Sequence, residues 1–235
     1  MPSVPHWLLN DLGIPPWIWR LLSVSLRAAF DATVVVAVVG VGLAYILAKG
    51  RFPGRGVIET VFSLPMALPP TVVGLFLLAR LGGPGPIRNA EVWLFGHPLT
   101  YTFDGIVVAQ IVESFPYCLR FSRVAIAGVD PRLEQAARAM GLPRWRVLTQ
   151  VTLPLARRGI VSGISMGFGR AMGDFGATML IAGSVPFATT MPLALYNAVF
   201  YGTHHQSEVL ALVQVGVALS ILVGVTRLGR ARVWN

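Results

Sequence analysis

Arg170 and Asp174 are the only ionisable residues in 160–182. Four residues apart on a helix, they share a face, and each can neutralise the other. In an apolar stretch of that length an ionisable group costs about 2.5–3.5 kcal/mol on membrane-insertion scales. It must therefore face a protein interior and find a partner. Two chemistries fit: the pair can fix helix packing as a self-neutralising unit, or it can line and gate a passage for a charged solute. Glu113, Arg120 and Arg123 raise the same question in 105–127, where the two arginines stand near one end and can snorkel to a surface. His204 and His205 have too few neighbouring ligands for a metal site, so no metal is expected. The single cysteine, Cys118, excludes an intramolecular disulfide and a cysteine-based metal cluster.

The second informative constellation is 130–154. Asp130 is a good N-cap, and Pro131 follows at the first helical position, where its missing N–H costs nothing. Gly141 suits a left-handed C-terminal turn, and Pro143 prevents continuation. The result is a short helix of about ten residues. Leu133, Ala136, Ala137 and Met140 fall at i, i+3, i+4 and i+7 and form a narrow apolar face. That face can lie in a partner's groove, or it can pack back on the chain or rest on lipid.

The elements that must position these residues are membrane helices. Of 235 residues, 54% are hydrophobic and 12% charged, about half the charge of a soluble domain, and mean hydropathy is +0.67. Uncharged or nearly uncharged runs occupy 32–48 (reaching back through Leu26), 60–79, 105–127, 160–182 and 209–226. Five spans are the minimum. A sixth would need the first 20 residues, where Trp7, Trp17 and Trp19 with Pro15 and Pro16 read better as an external interfacial segment. No basic n-region precedes an apolar core there, so no cleaved leader is expected. The organisation read from the sequence is thus 1–20 interfacial, 21–228 a transmembrane domain with its loop at 130–154, and 229–235 a tail. In the second span, Pro65, Pro69 and Pro70 free backbone carbonyls and demand a kink packed inside a bundle.

Net charge is +9, yet the basic residues sit between apolar blocks, which argues against a nucleic-acid partner. Fourteen of the nineteen fall in 49–55, 120–158 and 227–232, on one side of a five-span topology. The positive-inside rule puts that side, with the C-terminus, in the cytoplasm and the N-terminus outside. Along 159–176 the glycines include small-xxx-small spacings, which mean close helix packing.

Within 130–154, Gln135-Ala136-Ala137, three residues, Gly141, nine residues, then Val151-Thr152-Leu153-Pro154 resembles the loop motif of importer-type ABC permeases. Gln135 stands where that motif has Glu, with Glu134 immediately before it. A narrower likeness lies in Leu64-Pro65 through Pro69-Pro70-Thr71-Val72-Val73-Gly74 and in 169–178, Gly-Arg-Ala-Met-Gly-Asp-Phe-Gly-Ala-Thr. Both are similar to the molybdate permease family and its sulfate and tungstate relatives, as is Met191 to Tyr196. Asp174 replaces the family's usual Glu.

The resemblance implies an all-α integral membrane protein, the transmembrane domain of a type I ABC importer with a cytoplasmic coupling helix. It implies a homodimer in the bacterial cytoplasmic membrane, two cytoplasmic ATPase subunits and an external substrate-binding protein. Ala136, Ala137 and Gly141 would supply the fit to the ATPase, Glu134 or Gln135 the polar contact, and Leu153 and Pro154 the end of the motif. Arg170, Asp174, Phe175, Thr178, Pro69 and Pro70 are the pathway candidates. The chain has no Gly-x-x-x-x-Gly-Lys-Ser/Thr phosphate loop, so it is not expected to be an enzyme or to bind a cofactor; the partner uses the ATP. Nine residues follow Thr226, too few for the regulatory domain that some relatives add. Alternatives are a sulfate, thiosulfate or tungstate permease. From other classes, a self-sufficient anion channel or secondary carrier would show inverted repeats, and a membrane enzyme would show a convergent His, Asp or Ser cluster.

Overall fold

The computed structural model describes residues 16–183 and 189–230, with side chains over 17–183 and 189–224. Among the described residues every regular element is helical. Helix α1 (Pro16–Lys49) is one apolar rod of 34 residues with Pro16 at its head and Lys49 in its last turn. Its start takes in residues 16–20, which the sequence reading assigned to the interfacial segment; Trp7 and the rest of 1–15, like 231–235 of the tail, lie outside the described residues.

The second run, 60–79, is a broken element: α2 (Arg55–Ala67) and α3 (Pro70–Leu81) meet at 111°. Prolines cause this locally. Leu68 (φ −93°, ψ 146°) and Pro69 (φ −57°, ψ 137°) each precede a proline, which disfavours the helical region, and here two consecutive residues turn extended. The sequence pattern predicted a kink in one span, and the paired X-Pro bonds deliver a full break.

After α4 (Pro86–Phe95), α5 (Phe103–Ala127) starts at Thr102, whose hydroxyl accepts the Gly105 N–H at 3.2 Å. Then come the short α6 (Pro131–Ala139) and α7 (Arg144–Val147), a π turn (Leu148–Thr152) and α8 (Leu153–Met172). The fourth apolar run also breaks: α8 ends at Met172, and α9 (Gly176–Ala182) resumes it after a three-residue gap. Helices α10 (Met191–Tyr201) and α11 (His204–Arg230) complete the chain, with His204 and His205 exposed at the start of α11.

The core is the three-helix seam of α1, α5 and α8, where Val36, Ala44 and Leu47 meet Phe115, Cys118, Leu119 and Ile126, and these meet Ala156 and Ile160. Small residues permit this. A Cβ on Gly159 would lie 2.3 Å from the Ala125 Cβ, and one on Gly163 2.9 Å from the Phe121 Cβ. Ile18, Met191 and Leu210 pack together, so α11 begins beside the start of α1. The end of α1 and loop 130–154 share one end of the bundle, where Lys49 pairs with Glu134.

Among the described residues two helices, Trp17–Lys49 and His204–Gly224, are long and apolar enough to cross a membrane, and the bent pair adds a third if it is counted as one span. Helices α5 and α8 have 25 and 20 residues, about 37 and 30 Å, long enough to span. Their charges, not their length, lower their hydropathy.

Candidate functional site

The residues singled out from sequence occupy two places: the loop at the basic end of the bundle, and the region where the two broken helices cross.

In the loop, Asp130 Oδ1 accepts the Arg132 N–H at 2.9 Å and Pro131 opens α6. At the other end Gly141 takes φ 85°. Its N–H donates to the Arg138 carbonyl at 2.9 Å, and the Leu142 N–H donates to the Ala137 carbonyl at 3.2 Å. This paired 5→2 and 6→1 arrangement closes the last turn. Caps at both ends make the nine-residue helix rigid despite its length.

The helix is two-sided. Glu134 and Ala137 are buried, whereas Leu133, Gln135, Ala136, Met140 and Trp145 are exposed, Met140 at 76%. The apolar stripe read from the spacing is thereby divided, with Ala137 inward and the other three outward. Glu134 is the fastener: Oε1 takes the Lys49 ammonium at 3.0 Å and the Thr152 hydroxyl at 2.7 Å, and the Arg138 guanidinium stands 3.9 Å from Oε2. One carboxylate joins α6 to the end of α1 and to the π turn that precedes α8. Leu153 and Pro154 open α8 immediately after it. Spacing along the sequence could not reveal Lys49 and Thr152 as partners, because they come from 85 positions before and 18 after.

At the crossing, α3 and α9 touch backbone to backbone. A Cβ on Gly74 would lie 2.7 Å from the Ala177 Cα, and one on Gly176 2.9 Å from the Pro70 Cβ. Pro70, which follows Pro69 at the head of α3, thus stands against Gly176, at the head of α9, where Asp174, Phe175 and Thr178 also lie. Asp174 is fully buried, and its Oδ2 accepts the Thr178 N–H at 3.1 Å and the Thr178 hydroxyl at 2.6 Å. The carboxylate so holds the first turn of α9 across the break. Phe175 stacks on Tyr196 with ring centroids 5.1 Å apart, and Tyr196 continues to Phe200 at 4.6 Å, so an aromatic row links the break to α10.

Arg170 keeps the pairing expected from its spacing and adds a second partner. Its guanidinium lies 3.8 Å from Asp174 Oδ1, but its direct hydrogen-bonded partner is Glu113 on α5, a buried residue. The pair is a triad of one cation and two carboxylates. Glu113 Oε1, Asp174 Oδ1 and the neighbouring Gln110 Oε1 are buried and accept no hydrogen bond. The Arg170 side chain is 19% exposed, against 0% for Asp174. Arg123 forms an ion pair with Glu59 of α2 while both side chains stay partly exposed. Among the described residues, no group of three or more His, Cys, Asp or Glu could hold a metal ion.

Comparison with known proteins matches residues 40–229 to the family "Binding-protein-dependent transport system inner membrane component". The chain is 38% identical over 182 residues to the molybdenum transport system permease protein ModB of Escherichia coli K12, covering 77% of this chain and 80% of that one. It is 35% identical to the sulfate transport system permease protein CysT of the same organism, covering 74% and 62%. Its fold superposes on a bacterial ABC transporter involved in the import of the acidic polysaccharide alginate, with a TM-score of 0.76, 17% identity, and coverage of 100% of this chain and 86% of that one. A divided helix pair, a capped loop helix and these likenesses agree: the chain belongs to the binding-protein-dependent transport system inner membrane components, the membrane-spanning permeases of ABC importers.

Proposed function

We propose that this chain is the permease subunit of an ABC importer that moves molybdate into bacterial cells. It works as a homodimer with two cytoplasmic ATPase subunits and an external binding protein, and its C-terminus is cytoplasmic. The observation that carries the substrate is the 38% identity spanning 80% of a molybdenum permease, against 35% spanning 62% of a sulfate permease.

The geometry supports a division of labour in the coupling loop. Gln135, Ala136 and Gly141, with Leu133 and Met140, meet the ATPase, whereas Glu134 and Ala137 face the bundle. Closure of the ATPases moves α6 as a rigid body. The Glu134 contacts to Lys49 and Thr152 pass that movement to the end of α1 and, through Leu153 and Pro154, to α8. At the far end of α8 the movement reaches Arg170 and the gap before α9. There Arg170 meets the anion; buried Asp174 and Thr178 hold α9; Pro69, Pro70 and Phe175 shape the crossing. The basic loops at the same end as the coupling helix support the cytoplasmic assignment.

Uptake of labelled molybdate into cells that express the chain with its ATPase and binding protein tests the reading. Accumulation that requires all three components, and that excess sulfate leaves intact, is expected. Sulfate competing as well as molybdate would make this a sulfate permease, and uptake without the ATPase would make it a carrier.

A further inference from the structure

A cavity of about 610 Å³ opens at the coupling-loop end, between the end of α1, the turn 50–55 and α6. Five cations line it: Lys49, Arg51, Arg55, Arg138 and Arg144. Glu134 is the one carboxylate among the lining residues. That carboxylate is already engaged by Lys49 at 3.0 Å and faces Arg138 at 3.9 Å. Among the described residues no ion pair joins Arg51, Arg55 or Arg144 to an acid, and Arg55 makes only a long 3.5 Å hydrogen bond to the Gly50 carbonyl.

Arg55 also breaks a local rule. It is the first residue of α2, whose cap is Gly54 with no side-chain hydrogen bond and whose first turn has no acid. A cation at that positive helix end is unfavourable, and an anion is what the position attracts. Arg51, Arg55 and Arg144 line the same cavity, are joined to no carboxylate among the described residues, and offer forked donors suited to a phosphate-type group. The cavity opens beside Lys49, in the last turn of the apolar helix α1.

We propose that this cavity is an anion site for a tetrahedral phosphate-type group, either the phosphodiester of an anionic phospholipid or a free inorganic oxyanion. The bound anion neutralises Arg51, Arg55 and Arg144 and ties the turn before α2 to α7, next to the coupling helix. The inference rests on the membrane-spanning reading but not on the substrate or on the side assigned to the loop, since a lipid nanodisc exposes both faces.

The test uses the permease assembled with its ATPase in nanodiscs, the Arg51→Gln/Arg144→Gln variant, and Arg132→Gln, an exposed arginine outside the cavity, as control. In mixed discs, native mass spectrometry counts retained phosphatidylglycerol against phosphatidylcholine. In pure phosphatidylcholine discs, labelled inorganic phosphate is titrated. Phosphatidylglycerol enrichment that falls at least five-fold in the double variant and not in the control assigns the group to lipid. Saturable phosphate binding that falls equally, without lipid enrichment, assigns it to a free ion. Absence of both, either signal surviving in the double variant, or binding by the permease dimer that vanishes on assembly with the ATPase, overturns the site.

Discussion

The two polar clusters of this protein have opposite charge balance. At the coupling loop one carboxylate, Glu134, faces two cations, Lys49 and Arg138, and a hydroxyl, Thr152. At the helix break one cation, Arg170, faces two carboxylates, Glu113 and Asp174. The first cluster stands at the end of the bundle, where Lys49 and Arg138 remain partly exposed and water screens any imbalance. The second is buried among helices, where imbalance is expensive. The difference teaches where each part of the molecule tolerates change: the loop can lose a charge and stay folded, and the break cannot.

Arg170→Met should therefore have the largest effect. It strands two buried carboxylates and should destabilise the assembled permease by about 3–5 kcal/mol, measured as loss of folded complex on heating in detergent. The comparison sharpens with compensating changes. Arg170→Met with Asp174→Asn, whose amide oxygen can still accept the Thr178 bonds, leaves Glu113 unpaired and should assemble poorly; adding Glu113→Gln should restore assembly. Full assembly of the double variant would show that Glu113 is not a partner. Transport by the triple variant then separates roles, since normal molybdate uptake per complex would leave Arg170 with packing alone.

Next in size is Gly163→Leu, which forces α8 away from α5 and should cost about 1–3 kcal/mol by the same heating assay. Glu134→Gln should cost about 1 kcal/mol, because Gln still accepts the Thr152 hydroxyl while the Lys49 attraction is lost. Its main signature should be weaker substrate stimulation of ATP hydrolysis. The smallest effect is expected for Gln135→Ala, an exposed side chain, which should change stability by less than about 0.5 kcal/mol and act only on ATPase coupling.

These two regions were unequally legible in the sequence. The coupling helix is specified by neighbours: Asp130, Pro131, Gly141 and Pro143 act within a few residues, so spacing alone delimits α6 and the left-handed turn. Which face of α6 turns inward was not legible, because Lys49 chooses it from the far end of another helix. The break in 160–182 was hidden for a similar reason. Gly173 and Gly176 read as packing residues, and only the close crossing with Gly74 and Pro70 shows that α9 is a separate half-helix. Arg170 and Asp174 announced themselves as costly, and their i, i+4 spacing suggested a closed pair. The stronger partner, Glu113, is 57 residues away and was visible only as another charge in an apolar run. In the second span the prolines announced a bend; that Leu68 and Pro69 both precede a proline is the local signal for its size.

Coupling of this bundle to an ATPase runs, on the proposed function, through α6. Gly141 isolates it. The residue has φ 85°, which Asp tolerates better than most residues, and a Cβ there meets nothing within 4 Å, so Gly141→Asp should cost the chain only about 1 kcal/mol. The decisive measurement is molybdate-stimulated ATP hydrolysis in proteoliposomes containing the permease, its ATPase and its binding protein, with wild-type chain and Gly141→Asp compared at equal amounts of folded permease. Several-fold stimulation by loaded binding protein is expected for the wild type and none for Gly141→Asp. Equal stimulation of both would contradict it.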